Sequence, residues 1–237
     1  YAGDLKGRVW AFDITGTNEN SWDVYQSSGS PNPLFTATDC DGGAGNEQPI
    51  TSKPALGFNS QVATVASGGG VTIPNLMVYV GTGSYLTSSD LSVTDTQSFY
   101  AIWDSGESAA GHTVDRTTPA NSDLVKQTIS TDTAVNGDTV RIIDPTSPVN
   151  YPTDFGWYMD LPTSGERVIV DPEVLAGIAF FSTVIPSTDP CGFGGTSWSM
   201  FADAMTGTAP SQSIVDFDSS GGIDAGDETS GGYVGYL

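Results

Sequence analysis

Three times along this 237-residue chain the same order of short apolar runs returns, and such a repeat restricts the fold more than any single residue count. A run with an internal proline, ITSKPAL at 50–56, is followed by NLMVYVGTG at 75–83 and then by QSFYAIWD at 97–104. The series comes back as VIVDPEVL at 168–175, GIAFFSTVIP at 177–186 and SWSMFADAMTG at 197–207. An incomplete copy opens the chain: YAGDL at 1–5, GRVWAFDI at 7–14 and WDVYQ at 22–26. Short β-branched and aromatic runs between Gly, Pro, Asp, Asn and Ser clusters read as antiparallel strands. Sheets of three or four strands repeated around an axis make a β-propeller, in which only short edges stay exposed.

The expected fold is therefore all-β: one modified β-propeller domain over 1–237, present as its C-terminal blades and incomplete. The polar insertions 27–46, 105–123 and 146–153 are expected as loops on its rim. A β-sandwich with similar strand spacing is the alternative. Two and a half units do not close a ring, so the chain reads as an excised fragment or matured product, with earlier blades and any export signal outside it.

Composition removes other classes. With 29 Gly and 14 Pro, a helical bundle is not expected. Five Trp, nine Tyr and ten Phe supply a core, which separates the chain from a disordered acidic one. Seven Lys and Arg against 28 Asp and Glu give a formal charge of −21, so binding nucleic acid through phosphate neutralisation is excluded. Partners should be basic, or bridged by divalent cations. No run approaches the ~20 consecutive apolar residues that cross a bilayer.

The strongest chemical signal is DFDSSGGIDAGD at 216–227. As a twelve-residue calcium loop it puts Asp216 at position 1, Asp218 at 3, Ser220 at 5, Gly221 at 6, the Gly222 carbonyl at 7, Asp224 at 9 and Asp227 at 12. Hard Ca²⁺ takes oxygen ligands, and alternate residues of a tight loop turn theirs inward. Asp227 stands where Glu is usual, and Glu228 sits beside it. Ile223 is expected to anchor the loop on neighbouring strands, SIV before Asp216 reads as strand, and turn and strand follow. The loop is thus EF-hand-like without flanking helices, and its expected role is to brace a blade or binding surface.

Catalytic patterns are sparse. The single histidine, His112, lies in a polar loop, and no G-x-S-x-G elbow, H-x-x-x-H pair or P-loop occurs. Asp154 and Asp160, in one strand, are about 20 Å apart at strand rise, too far for a glycosidase pair. Cys40 and Cys191 either pair with each other or with cysteines elsewhere. Trp103, Trp157 and Trp198 are core residues or, alternatively, a sugar-stacking platform for a calcium-dependent glycan-binding adhesin. A quinoprotein-type enzyme is a further alternative, weakened by the lack of clustered Arg.

YAGDLKGRVWAFDI, EQPITSKPAL, VYVGTGSYL, SDLSVTDTQSFYAIWD, GWYMDLP with SGERVIVDP, and DPCGFGGTSW before the acidic loop follow one another in an order that resembles the C-terminal domain of the PilC/PilY family of type IV pilus biogenesis factors. TQSFYAIWD and PSTDPCGFGGTSW carry the resemblance most specifically. It implies a modified β-propeller on a secreted, surface or pilus-tip protein that promotes pilus extension, counteracts retraction and contributes to adhesion, twitching motility and virulence. It implies no enzymatic activity, minor pilins or pilus machinery as partners, and host or abiotic surfaces as further contacts. It also implies a regulatory Ca²⁺ site, which carries over to Asp216, Asp218, Ser220, Gly222, Asp224 and Asp227. The von Willebrand A-type region of some members and the Arg-Gly-Asp of some relatives do not occur in this sequence.

Overall fold

In the strand Ser98–Asp104 every residue is buried, because its two alternating sets of side chains face two different neighbours. Phe99, Ala101 and Trp103 enter one apolar cluster, Tyr100 and Ile102 another. The adjoining strands divide in the same way: Met77 and Tyr79 from Val78 and Val80, Trp157 and Met159 from Tyr158. The sheet that these strands form is therefore the middle layer of three.

The computed structural model describes residues 1–27, 29–39, 45–62, 75–106, 114–116, 123–133, 139–143, 147–187, 194–216, 218–227 and 233–236. Among these there is no α-helix, only strands, turns and short 3-10 turns. The first sheet has three strands, Ala2–Gly3, Arg8–Trp10 and Phe35–Thr36. The second runs Val125–Gln127, Gly156–Asp160, Ser98–Asp104, Leu76–Gly81, Ala55–Phe58, antiparallel except where Val125–Gln127 lies parallel to its neighbour. The third runs Ile129–Thr133, Thr139–Ile143, Tyr233–Tyr236, Ser199–Asp203, Ile178–Ser182, Glu173–Leu175.

The repeated runs fall where the propeller reading puts them. In the second and third sheets the proline, Pro54 or Pro172, immediately precedes the edge strand, where a missing N–H costs no ladder bond. The two later runs of each series pair next to it in order. Gly156–Asp160 and Tyr233–Tyr236 supply the fourth strands.

Other expectations need correction. WDVYQ does not complete the first sheet; Asp23–Val24 forms a separate ribbon with Phe12–Asp13, and Phe35–Thr36 takes the third place. The insertion 27–46 is thus not wholly rim, since Leu34, Phe35 and Ala37 are buried where the first sheet meets the second. Val114 and Arg116, from the insertion 105–123, are buried too. The hairpin Ile129–Thr133 and Thr139–Ile143 lies in sequence between strands of the second sheet, yet pairs with the third, so one sheet's long connection extends its neighbour.

Each boundary between sheets carries apolar contacts and a buried cation. Between the second and third, Phe99 and Phe181 stack with ring centroids 3.8 Å apart, and Tyr79 Oη and Trp157 Nε1 both donate to the Ala204 carbonyl, at 2.9 and 3.0 Å. Burying each such aromatic side chain contributes about 2–3 kcal/mol. Arg141 and Glu166, both inaccessible to solvent, form a bidentate pair at 2.6 and 2.7 Å, with the guanidinium 4.0 Å from the Trp198 ring centroid. Between the first and second, Arg116 donates to Ser98 Oγ, Tyr100 Oη and Asp160 Oδ1 at 3.1, 2.6 and 3.0 Å, and lies 4.0 Å over the Tyr158 ring. Burial pushes the Tyr100 phenol up to about 12, so it stays neutral and donates to Gln48 Oε1.

A buried pair offsets its own desolvation only while both members are present. Glu166→Ala should lose about 3–5 kcal/mol of unfolding free energy in urea, while Arg141→Met with Glu166→Leu should lose markedly less, because no charge is stranded.

Candidate metal centre

The segment 216–227 folds on itself because its carboxylates accept the backbone N–H groups that a tight reversal leaves without partners. Ser220 N donates to Asp216 Oδ1 and Asp218 Oδ1 at 3.1 and 2.9 Å, and Gly221 N to Asp216 Oδ2 at 2.9 Å. Ser219, at φ +57°, and Gly221, at φ +92°, turn the chain through the left-handed region. Asp227 closes the loop: its Oδ1 accepts from Asp218 N at 3.0 Å and its Oδ2 from Asp224 N at 2.9 Å.

Asp216, Asp218 and Asp227 each bring a carboxylate oxygen within 4.8 Å of the others. Asp227 is buried, Asp216 and Asp218 half-buried. The other three expected ligands, Ser220, Gly222 and Asp224, are exposed and bonded among themselves: Ser220 Oγ lies 3.0 Å from the Gly222 carbonyl and 3.4 Å from Asp224 Oδ2. Asp224 Oδ1 also accepts from Gly226 N. A Cβ at Gly226 would stand 2.3 Å from Asp218 Oδ2, so a side chain there would displace the Asp218 carboxylate.

Carboxylates at such separations repel by something on the order of 3 kcal/mol per pair near a protein surface. An all-oxygen, carboxylate-rich donor set suits a hard divalent cation rather than a thiolate- or imidazole-seeking metal. Ile223 does not anchor the loop; it is 56% exposed. SIV at 213–215 is irregular rather than strand, whereas Tyr233–Tyr236 forms the strand expected after the loop.

The remaining sequence candidates part from chemistry. Trp103, Trp157 and Trp198 are at most 5% exposed and offer no face for a sugar, which removes the stacking platform of the glycan reading. Asp160 pairs with Arg116 and Lys126, and Asp154 accepts from Asn150 N. His112, Cys40, Cys191 and Glu228 lie outside the described residues. The sequence reading missed Arg116 and Arg141; Arg141, set between Val140 and Ile142, was a signal of an internal ion pair, whereas Arg116 stands in the polar run HTVDRTT and gave none.

A family model described as the PilY1 beta-propeller domain matches residues 1–138, more than half of the chain. The chain belongs to this family. It is 30% identical to a type IV pilus biogenesis factor PilY1 homolog of Xylella fastidiosa, over 88% of this chain and 13% of that protein. It is 29% identical to the PilY1 of Pseudomonas aeruginosa, over 99% of this chain and 22% of that one. The crystal structure of the Pseudomonas aeruginosa PilY1 C-terminal domain superposes with a TM-score of 0.74 at 26% identity, covering all of this chain and 50% of that one. The PilY1 propeller fold is thus shared along the whole chain, which spans about a fifth or less of the length of these curated relatives. The acidic loop lies outside the residues that the family model matches.

Asp227 has a structural part that needs no metal. In metal-free buffer Asp227→Ala should lose about 1–3 kcal/mol in urea unfolding, since two backbone donors lose their acceptor. Asp216→Ala, nearer solvent, should lose less, and Asp227→Asn, which keeps one acceptor, should fall between them.

Proposed function

We propose that this chain is the calcium-responsive propeller region of a non-enzymatic type IV pilus biogenesis factor, displayed at the cell surface or pilus tip. The observation that carries the reading is the gathering of Asp216, Asp218 and Asp227 in a chain of the PilY1 family. Asp216, Asp218, Ser220, the Gly222 carbonyl, Asp224 and Asp227 would hold Ca²⁺, which when bound supplies the positive charge that offsets their mutual repulsion. The chain's own part is to keep the ligands close: Asp227 ties the two ends of the loop, and the loop precedes Tyr233–Tyr236, an internal strand of the third sheet.

Regulation follows from differential affinity. A ligand shifts an equilibrium only by the difference in its affinity for the two states. With a dissociation constant of about 10 μM and free Ca²⁺ of about 1 mM, the closed-loop state gains about 2.7 kcal/mol over one that does not bind. The two states would differ in how they engage minor pilins or the pilus machinery, and through them in extension, retraction, twitching motility and adhesion.

Calorimetric titration of Ca²⁺ into chelator-treated protein should show one site, lost in Asp216→Ala and Asp224→Ala and resistant to equimolar Mg²⁺. The same substitutions in the full-length protein should change twitching motility in cells. No saturable heat below millimolar Ca²⁺ would end the calcium reading and leave a pilus factor regulated by other means.

A further inference from the structure

Where the first and second sheets meet, at the end of the second marked by Gly83 and Gln97, a cleft of about 270 Å³ opens. Leu5, Pro49 and Val93 give it apolar walls, and Glu47, Asp90, Asp95 and Arg167 bring charge. Three carboxylates thus stand against one guanidinium, and that guanidinium is occupied. Arg167 donates to the carbonyls of Gly165, Ser84, Asp90 and Val93 at 2.9, 2.7, 2.8 and 3.0 Å, a brace that holds the segment 84–93 as one wall.

On the carboxylate side, the Thr87 and Leu86 backbone N–H groups hold Asp90 below the usual carboxylate range, so it stays ionised. Glu47 and Asp95 are exposed at the mouth. The decisive group is Gln97. It lines the cleft, is 5% exposed, and its Oε1 has no hydrogen-bond partner among the described residues. Its Oε1 is shielded from solvent, so a donor entering the cleft meets it as the Gln97 side chain turns toward the cleft, and recovers the desolvation that an unpaired buried acceptor carries.

We propose that this cleft receives a lysine or arginine side chain from a basic segment of a partner protein. The apolar walls suit the alkyl stem of such a side chain, and the buried amide oxygen and acidic mouth suit its charged head. The volume fits one side chain rather than a drug-sized ligand. A metal ion fits less well, because the only three carboxylates whose oxygens converge among the described residues are those of the loop at 216–227. Leu5, Tyr85 and Leu86, 61%, 44% and 67% exposed, leave apolar surface on the adjoining wall for the flanking residues of a protein, which a free cation would not use. The proposal is independent of the metal site.

The test is fluorescence polarisation with a fluorescein-labelled peptide of alternating Lys and Leu, at about 150 mM salt, where attraction over more than ~8 Å is screened. Saturable binding should weaken about tenfold or more in Glu47→Gln with Asp95→Asn, and change less than about twofold in the charge-matched control Glu19→Gln with Asp23→Asn. In NMR spectra the Gln97 side-chain amide should shift with the Lys–Leu peptide and stay unmoved by a Gln–Leu peptide. Equal weakening in both double variants would mean diffuse attraction to an acidic surface and would overturn the proposal. So would absence of saturable binding, binding of the Gln–Leu peptide, or a Gln97 shift produced as well by free spermidine or Ca²⁺.

Discussion

The arrangement depends on one sheet being buried on both faces. An antiparallel sheet can leave one side to water, but the sheet built around Ser98–Asp104 gives Phe99, Trp103, Trp157 and Met159 to one neighbour and Tyr100, Ile102 and Tyr158 to the other. Neither neighbour could be removed without exposing several large aromatics, so each sheet's stability is partly its neighbour's, as in repeat architectures generally. The long connection that leaves Asp104 adds a second bond between units. It contributes Val114 and Arg116 to one boundary and the hairpin ending at Ile143 to the next sheet.

A second constraint is the scarcity of positive charge. Of seven cations, Arg116, Arg141 and Arg167 are committed inside the fold, to Asp160, to Glu166 and to four backbone carbonyls, and Lys126 also lies on Asp160. The surface is left with a large excess of carboxylate. That excess favours recognition through cations from outside, which in the proposed readings are calcium at a loop that concentrates acid and basic side chains from a partner. Two acidic places of different design stand on that surface: a loop in which the carboxylates of Asp216, Asp218 and Asp227 converge, and a walled cleft with one buried, unsatisfied acceptor.

Much of the fold was legible because two-sided burial makes strands nearly continuous apolar runs, as in NLMVYV and QSFYAIW, and because proline marks an edge strand. What escaped is equally physical. Phe35–Thr36 is two residues long in a Ser-, Asn- and Pro-rich stretch, too short to show a period. The hairpin ending at Ile143 reads as polar alternation, although Asn136-Gly137 in its sequence is a turn signal. In the loop, spacing pointed to four carboxylates, of which the structure brings Asp216, Asp218 and Asp227 together, while Asp224 is exposed and accepts from Gly226 N. Spacing did not reveal that Asp227 is the buried tie of the loop while Ile223 faces water, because burial is decided by tertiary packing and not by local sequence.

The proposed calcium site would couple the acidic loop to the third sheet, so that the two respond to the ion together. Hydrogen–deuterium exchange of the chain in saturating Ca²⁺ and in chelator tests it directly. Slower exchange with calcium is expected both in the loop, at the amides of Asp218, Ser220 and Asp224, and in the strand Tyr233–Tyr236 that lies between Thr139–Ile143 and Ser199–Asp203. Slowing confined to the loop, or no slowing at all, would contradict it.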